Sequence, residues 1–473
     1  MCAQASSPIP TSTRTRGQRM TTQSRRRFLL SSLAAGSGIA TLGGLSPILR
    51  LAQASEGSAA VGEKHRYYIF CYFGGGWDTL VTLDPRDPAV FTKAAIPDTL
   101  IDPNYAVFPG PYQNQVQVGD GQFVGPYLGD LTNHFEDIAI VRGLNMESLS
   151  HVVGRRRFLT GKSPTGLLAR GSSAATWLAS RLGADNVIAN LAVGVESYNV
   201  DQPAYASGLR VSSSADLLRA LQPIAPHLSD EANATRDSML AHEAACLGSS
   251  AFVAKAEYAR ERVNTVLDAD IGSLFDFTSS HEQMIALRNH YGINGNGNSP
   301  KHRAALAGQA LMSGVSRCVS VGIQGGLDTH GSEWANRQGP RQRDGFNAIA
   351  ALANWLKQHE HPGTQTSWFD HTTIIAFSEF NRTPLINQNG GRDHHLCNSA
   401  LLMGGPVNGG TIVGASSDVG MMPMSIDPAT GLPDPGGEVL NPEHVLQSLM
   451  VDAGYVQDEP DFRCPPLATL MKG

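Results

Sequence analysis

Short, unbroken apolar runs constrain this chain more than any other feature. Tyr67 to Phe73, Ile138 to Val141, Leu191 to Val195, Cys318 to Ile323, Thr373 to Phe377 and Ala400 to Met403 are rich in β-branched or aromatic residues. Each is too short for a typical helix, and several lack the alternation of a strand with one wet face. Strands covered on both faces read this way, as in a parallel sheet between helix layers. Helical spacing fills the gaps. From Asp344 to Gln358, apolar residues recur at Phe346, Ile349, Leu352, Ala353 and Leu356, and Pro442 to Ala453 starts on a proline and is followed by Gly454. The expected fold is α/β, a mostly parallel central sheet between helix layers. From about 212 to 298 the chain reads as helical and strand-poor, a helical insertion ending in a Gly/Asn-rich loop.

The N-terminus carries a different signal. Ser24-Arg25-Arg26-Arg27-Phe28-Leu29 reads as a twin-arginine motif, followed by a weakly apolar stretch and the small-x-small site Ala52-Gln53-Ala54. Glycines and serines dilute that stretch below what a spanning helix needs. Residues 1–54 are therefore expected to be a twin-arginine signal and 61–473 the mature α/β domain. The twin-arginine translocase is then a transient partner, the destination is periplasmic or extracellular, and there is no stable membrane anchor. A net charge of −6 with 16% charged residues gives no basic face for nucleic acid. Five cysteines lie beyond the signal with no CxxC pair, and Cys71 and Cys318, in apolar strand-like runs, read as small buried hydrophobes.

Chemistry-bearing residues follow the strands, where α/β sheets gather ligands. Gly74-Gly75-Gly76-Trp77-Asp78 brings a carboxylate after the first strand, as a ligand or as a turn cap. Gly325-Gly326-Leu327-Asp328-Thr329-His330 offers a carboxylate and an imidazole that can share an ion, or a plain loop with a helix cap. Ser378-Glu379-Phe380-Asn381-Arg382 puts an acid at another strand tip, facing a site or solvent. Gly390-Gly391-Arg392-Asp393-His394-His395 is the densest cluster, with either a histidine as ligand and Asp393 as its orienter, or histidines solvated in a loop. Ser148-Leu149-Ser150-His151 precedes a helix, so Ser150 is a nucleophile or an N-cap. No Gly-x-Ser-x-Gly elbow, HExxH or P-loop is present, and no complete Gly-x-Gly-x-x-Gly follows a strand.

Taken in order, these clusters resemble the DUF1501 family of exported bacterial proteins, related to the alkaline phosphatase and sulfatase superfamily. The resemblance spans about Tyr67 to Ala453 and includes Ser150-His151 to Thr160-Gly161. It implies an alkaline phosphatase-like fold and a divalent metal, zinc first, with calcium or manganese as alternatives and one or two ions. Asp78, Asp328, His330, Glu379, His394 and His395 are the implied ligands. Ser150 (with Ser148 in reserve), His151, Arg382 and Arg392 are the implied catalytic residues, acting on a small anionic phosphate or sulfate ester. Phe380 departs from the Asp-His pair that the superfamily places there, and this puts a second ion in question. The departure keeps open a non-catalytic binding or assembly protein on the same scaffold. A metal-free serine hydrolase using Ser150 is a further alternative.

Overall fold

The computed structural model describes residues 65–163, 165, 168–221, 229, 231, 232, 234–236, 238, 239, 242, 271–456 and 460–472. The twin-arginine signal and most of the stretch between 222 and 270 lie outside the described residues.

Ten strands matter here: β1 (Tyr67–Phe73), β2 (Ile138–Asn145), β3 (Asn190–Val193), β4 (Leu209–Val211), β5 (Cys318–Gln324), β6 (Thr372–Ser378), β7 (Asn381–Arg382), β8 (His394–His395), β9 (Cys397–Gly404) and β10 (Thr411–Val413). Eight of them form the central sheet, in the order β10-β2-β9-β6-β1-β5-β3-β4. All run parallel except β9, which is antiparallel to both β2 and β6. β7 and β8 form a separate antiparallel pair. The short edge strands β4 and β10 are not apparent from the sequence, because three-residue pairings carry too little pattern.

β1 explains the unbroken apolar runs. Tyr67, Ile69, Cys71 and Phe73 enter one core, whereas Tyr68, Phe70 and Tyr72 enter the other. Side chains alternate across a strand, so burial on both faces erases the alternation in composition. Seven helices are used below: α1 (His151–Thr160), α2 (Ala174–Leu182), α3 (Ser214–Leu221), α4 (Glu282–Tyr291), α5 (Pro300–Met312), α6 (Trp334–Lys357) and α7 (Pro442–Asp452). α4, α5 and α6 contribute to the first core, and α1, α2 and α7 to the second. Phe158 of α1 stacks on Phe377 of β6 with centroids 4.2 Å apart. α3 and α4 give helical ends to the expected insertion.

α6 begins at Trp334, upstream of the expected Asp344, and runs through Pro340. Buried Trp334, Gln338 and Gln342 hold this first stretch against the body, and tertiary packing overrides the proline signal. Cys71, Cys318, Cys397 and Cys464 are buried free thiols. Among the described residues no helix is long and apolar enough to cross a membrane.

Candidate metal centre

β1, β2, β5 and β6 all deliver their C-terminal ends to one edge of the sheet, and loops from that edge meet there. Glycines allow the approach. Gly75 has φ +112°, and a Cβ on it would lie 2.6 Å from the Asp328 backbone nitrogen. A Cβ on Gly76 would meet the Phe380 ring at 2.3 Å. The glycine run therefore lets the turn after β1 touch the loops carrying Asp328 and Glu379.

Three imidazoles converge, each anchored through Nδ1. His151, the first residue of α1, has Nδ1 2.7 Å from Glu379 Oε1. Glu379 is buried and also accepts hydrogen bonds from the Gly75 N–H at 2.8 Å and the Ser378 hydroxyl at 2.9 Å. Burial works against its charge, but bonds from His151, its own and the Gly75 backbone N–H, and Ser378 hold the carboxyl below its usual range. His330 has Nδ1 2.8 Å from Asp393 Oδ1, which also accepts from the Asn387 amide at 3.1 Å. The His330 hydrogen bond is the main reason the Asp393 carboxyl stays below its usual range. His394 Nδ1 lies 2.7 Å from the Leu149 carbonyl oxygen.

A carbonyl and two ionised carboxylates can only accept. Each imidazole must therefore donate from Nδ1, and in a neutral ring Nε2 then presents a lone pair. These lone pairs face one another and Asp328. His330 Nε2 is 3.0 Å from His394 Nε2 and 3.0 Å from Asp328 Oδ1. His394 Nε2 is 3.5 Å from Asp328 Oδ1, and His151 Nε2 is 3.5 Å from Asp328 Oδ2. Burial would raise the Asp328 carboxyl, yet the Arg382 hydrogen bond and charge, with His151 and His330, hold it below its usual range.

Arg382 reaches this cluster from one side, 3.3 Å from His330 Nε2 and 2.7 Å from Asp328 Oδ1, and the remaining acceptors are arranged so that they can hold a metal ion. A proton on His394 is disfavoured, because burial first and then the Arg382, His151 and His330 charges push its pKa down. Zinc–nitrogen bonds of about 2.0–2.1 Å in a tetrahedron put neighbouring ligand atoms about 3.3 Å apart, which the observed 3.0 and 3.5 Å separations bracket. One ligand atom each from His151, Asp328 and His394 lies within 4.8 Å of the others. The carboxylates behind His151 and His330 are the outer partners that metal-binding histidines use to fix tautomer and orientation.

Several expected residues sit elsewhere or do something else. Asp78 is sealed beneath the cluster: it accepts from Leu80 N at 3.1 Å and Trp334 Nε1 at 2.8 Å, and pairs with Arg392 Nε at 3.1 Å. Burial pushes its pKa up, with Arg392, Trp334 and Leu80 opposing. Glu379 meets the imidazole of His151 and so orients it, instead of joining the convergent group. His395 is on the opposite face of β8 from His394, as neighbours on a strand must be, and its Nδ1 accepts from Cys397 N at 3.2 Å. Arg382 is buried and donates to the carbonyls of Gly75, Gly76 and Arg392 and, at 2.7 Å, to Asp328 Oδ1. Arg392 donates to the carbonyls of Thr383 and Asp102 and lies 4.6 Å from the Trp334 ring centre. Neither arginine projects freely toward a substrate. Ser150 is exposed at the α1 N-terminus, its hydroxyl making no capping bond.

His151, expected as a catalytic residue, sits with the candidate ligands. Sequence reasoning missed Tyr72, and Arg155 stands out in the sequence only within the run Arg155-Arg156-Arg157, a candidate grip on an anionic substrate. Arg155 is one turn after His151 on α1, packs with its guanidinium 5.6 Å from the Tyr72 ring centre, and bonds Glu196 Oε2 at 2.7 Å. The Tyr72 hydroxyl interacts with both Arg155 and Glu379.

The family profile described as "Protein of unknown function (DUF1501)" matches residues 65–427. The chain belongs to the DUF1501 family. All the candidate ligands of this DUF1501 chain fall inside the matched span. No curated protein matches it. A solved structure of a protein in the alkaline phosphatase superfamily from Vibrio parahaemolyticus is similar at 10% identity, over 87% of this chain and 76% of that one, with a TM-score of 0.35.

Proposed function

We propose that this chain is an exported, metal-dependent hydrolase of phosphate or sulfate esters. The observation that carries the reading is the convergence of three Nδ1-anchored histidines on one carboxylate. His151, Asp328, His330 and His394 would hold the ion, and Glu379, Asp393 and the Leu149 carbonyl would keep the imidazoles aimed. Three nitrogens and one oxygen suit zinc and other late first-row ions better than calcium, which takes oxygen ligands. One ion fits better than two, because Asp78 and Glu379 are already committed. A bound divalent ion supplies Lewis acidity toward an ester oxygen. Ser150 stands beside His151 at the start of α1, where unpaired backbone N–H groups favour a nearby anion, and is the candidate nucleophile. Arg382 fixes Asp328 and offsets part of its charge. The twin-arginine motif at Ser24–Leu29 supports export.

Metal analysis of the purified protein, paired with aryl phosphate and aryl sulfate hydrolysis, tests this reading. Activity is expected to require the metal and to vanish in Asp328→Ala and His394→Ala. A metal-free protein of equal activity would contradict it. A second reading, a binding or assembly protein, draws on the enclosure of Arg382 and Arg392. Tight metal binding without turnover on a broad ester panel would favour that reading.

A further inference from the structure

α1 carries a second set of polar side chains beyond His151. At roughly 1.5 Å per residue, Arg156 and Thr160 lie about 8 and 14 Å along the helix axis from that candidate ligand. There a cavity of about 10 Å³ is lined by Arg156, Arg157, Lys162 and Arg170, with Val153 and Leu168 as apolar wall, and no carboxylate lines it among the described residues. Arg157 is sealed, its side chain 0% exposed. Its Nη1 donates to the Gly161 carbonyl oxygen at 2.7 Å and pairs with Glu443 at 3.1 Å, and its Nε lies 3.1 Å from Glu147. Its buried Nη2 has no hydrogen-bond partner, and neither has the buried Nη1 of Arg156. Arg156 donates from Nε to the Tyr198 hydroxyl at 2.8 Å and lies 3.9 Å from Glu196, which also pairs with Arg155 at 2.7 Å. Lys162 pairs with Asp461 at 3.1 Å, and exposed Arg170 has no ion pair among the described residues. Five cations in this set therefore meet four carboxylates.

We propose that this cavity is a binding site for a small monocarboxylate with an apolar tail. The site is separate from the imidazole cluster and does not rest on the metal-dependent reading. A guanidinium stays charged and keeps all its N–H donors. A buried N–H without an acceptor is a standing cost, which an entering oxygen removes. Arg156 and Arg157, neighbours on α1, each keep one such nitrogen beside a cavity that no carboxylate of the described fold lines. The volume takes about one oxygen-sized atom. A flat carboxylate supplies that atom edge-on and matches the guanidinium fork, whereas a tetrahedral oxyanion is bulkier at the same point. Charge points the same way, since a surplus of one cation offsets one negative charge and not two. Val153 and Leu168, the latter 81% exposed, are left to cover an alkyl body.

Calorimetric titration of the full chain with sodium hexanoate, sodium acetate and neutral hexanamide, at fixed chloride, tests the site. Hexanoate is expected to bind with a Kd of roughly a millimolar or tighter. Acetate should bind about fivefold more weakly, and hexanamide more weakly by about tenfold or more. Arg156→Gln should weaken hexanoate about tenfold and Arg170→Gln about threefold. Arg156 is partly exposed and Arg170 fully so, and both variants should fold. Added chelator should leave the affinity unchanged, which separates this site from carboxylate binding on a metal ion. The absence of saturable hexanoate binding, equal binding of acetate or hexanamide, an unchanged affinity in Arg156→Gln, or loss of binding with chelator overturns the proposal.

Discussion

β1 has a cluster of three histidines at each end, and the two clusters are built in opposite ways. At its C-terminal end, His151, His330 and His394 have neighbouring rings 4.8 Å apart, and their Nε2 atoms aim at Asp328. At its N-terminal end, His65, His361 and His371 have rings 4.5 to 5.9 Å apart. There, however, His361 Nε2 meets the Tyr67 hydroxyl at 3.1 Å, and His371 Nε2 meets the Thr366 hydroxyl at 2.8 Å. Hydroxyls can donate to a neutral ring, so that cluster is satisfied without a cation. Burial first, then the neighbouring His371, His65 and Arg317 charges, push the His361 pKa down to about 3. Imidazole proximity alone therefore does not make a metal site. What separates the two ends is acceptors behind the rings and a carboxylate in front of them.

Substitutions can break or sharpen this contrast. Asp328→Ala should lower zinc affinity roughly a thousandfold, beyond the about 10–100-fold typical of an outer-shell change. Its side chain is half exposed but pairs with the buried Arg382 at 2.7 Å, so thermal stability without metal should fall as well, and the loss of zinc affinity should exceed that fall. Competition titration with a chelator, alongside a melting curve, measures both. Glu379→Gln should weaken zinc by about 10–100-fold, because the amide can no longer compel a proton onto His151 Nδ1. An unchanged affinity would mean that His151 is not a ligand.

The other end of β1 should respond to acid and not to chelator. His361 is neutral in the fold but takes up a proton in the unfolded chain below its ordinary 6.5. Its contribution is complete above that pH and is lost as pH falls toward 3, by about 2 to 3 kcal/mol. Urea midpoints from pH 7 to pH 4 should fall more steeply in wild type than in His361→Gln. The smallest effect is expected for His395→Ala, which should change zinc affinity by less than about twofold, since alternation on β8 turns that ring away from the cluster.

The sheet was legible because burial on both faces leaves an unbroken apolar run, as in Thr373 to Phe377. The loops at its C-terminal edge were legible for a related reason: acids and histidines after glycines recur at strand tips. The direction each side chain takes was not legible. Asp78 follows the same kind of strand-glycine turn as Asp328, but it turns inward to Trp334 and Arg392, contacts made with residues more than 250 positions away. His394 and His395 are equal as letters, and only the register of β8 against β7 tells them apart. The role of Glu379 depended on a partner, His151, supplied by the first turn of α1.

The most direct test is a crystal structure of the zinc-loaded protein with anomalous diffraction at the zinc edge. The account predicts one strong peak within bonding distance of Asp328 and the Nε2 atoms of His151, His330 and His394, and no peak near His361. Zinc bound by Asp78 or His395, or absent from the Asp328 cluster altogether, would contradict it.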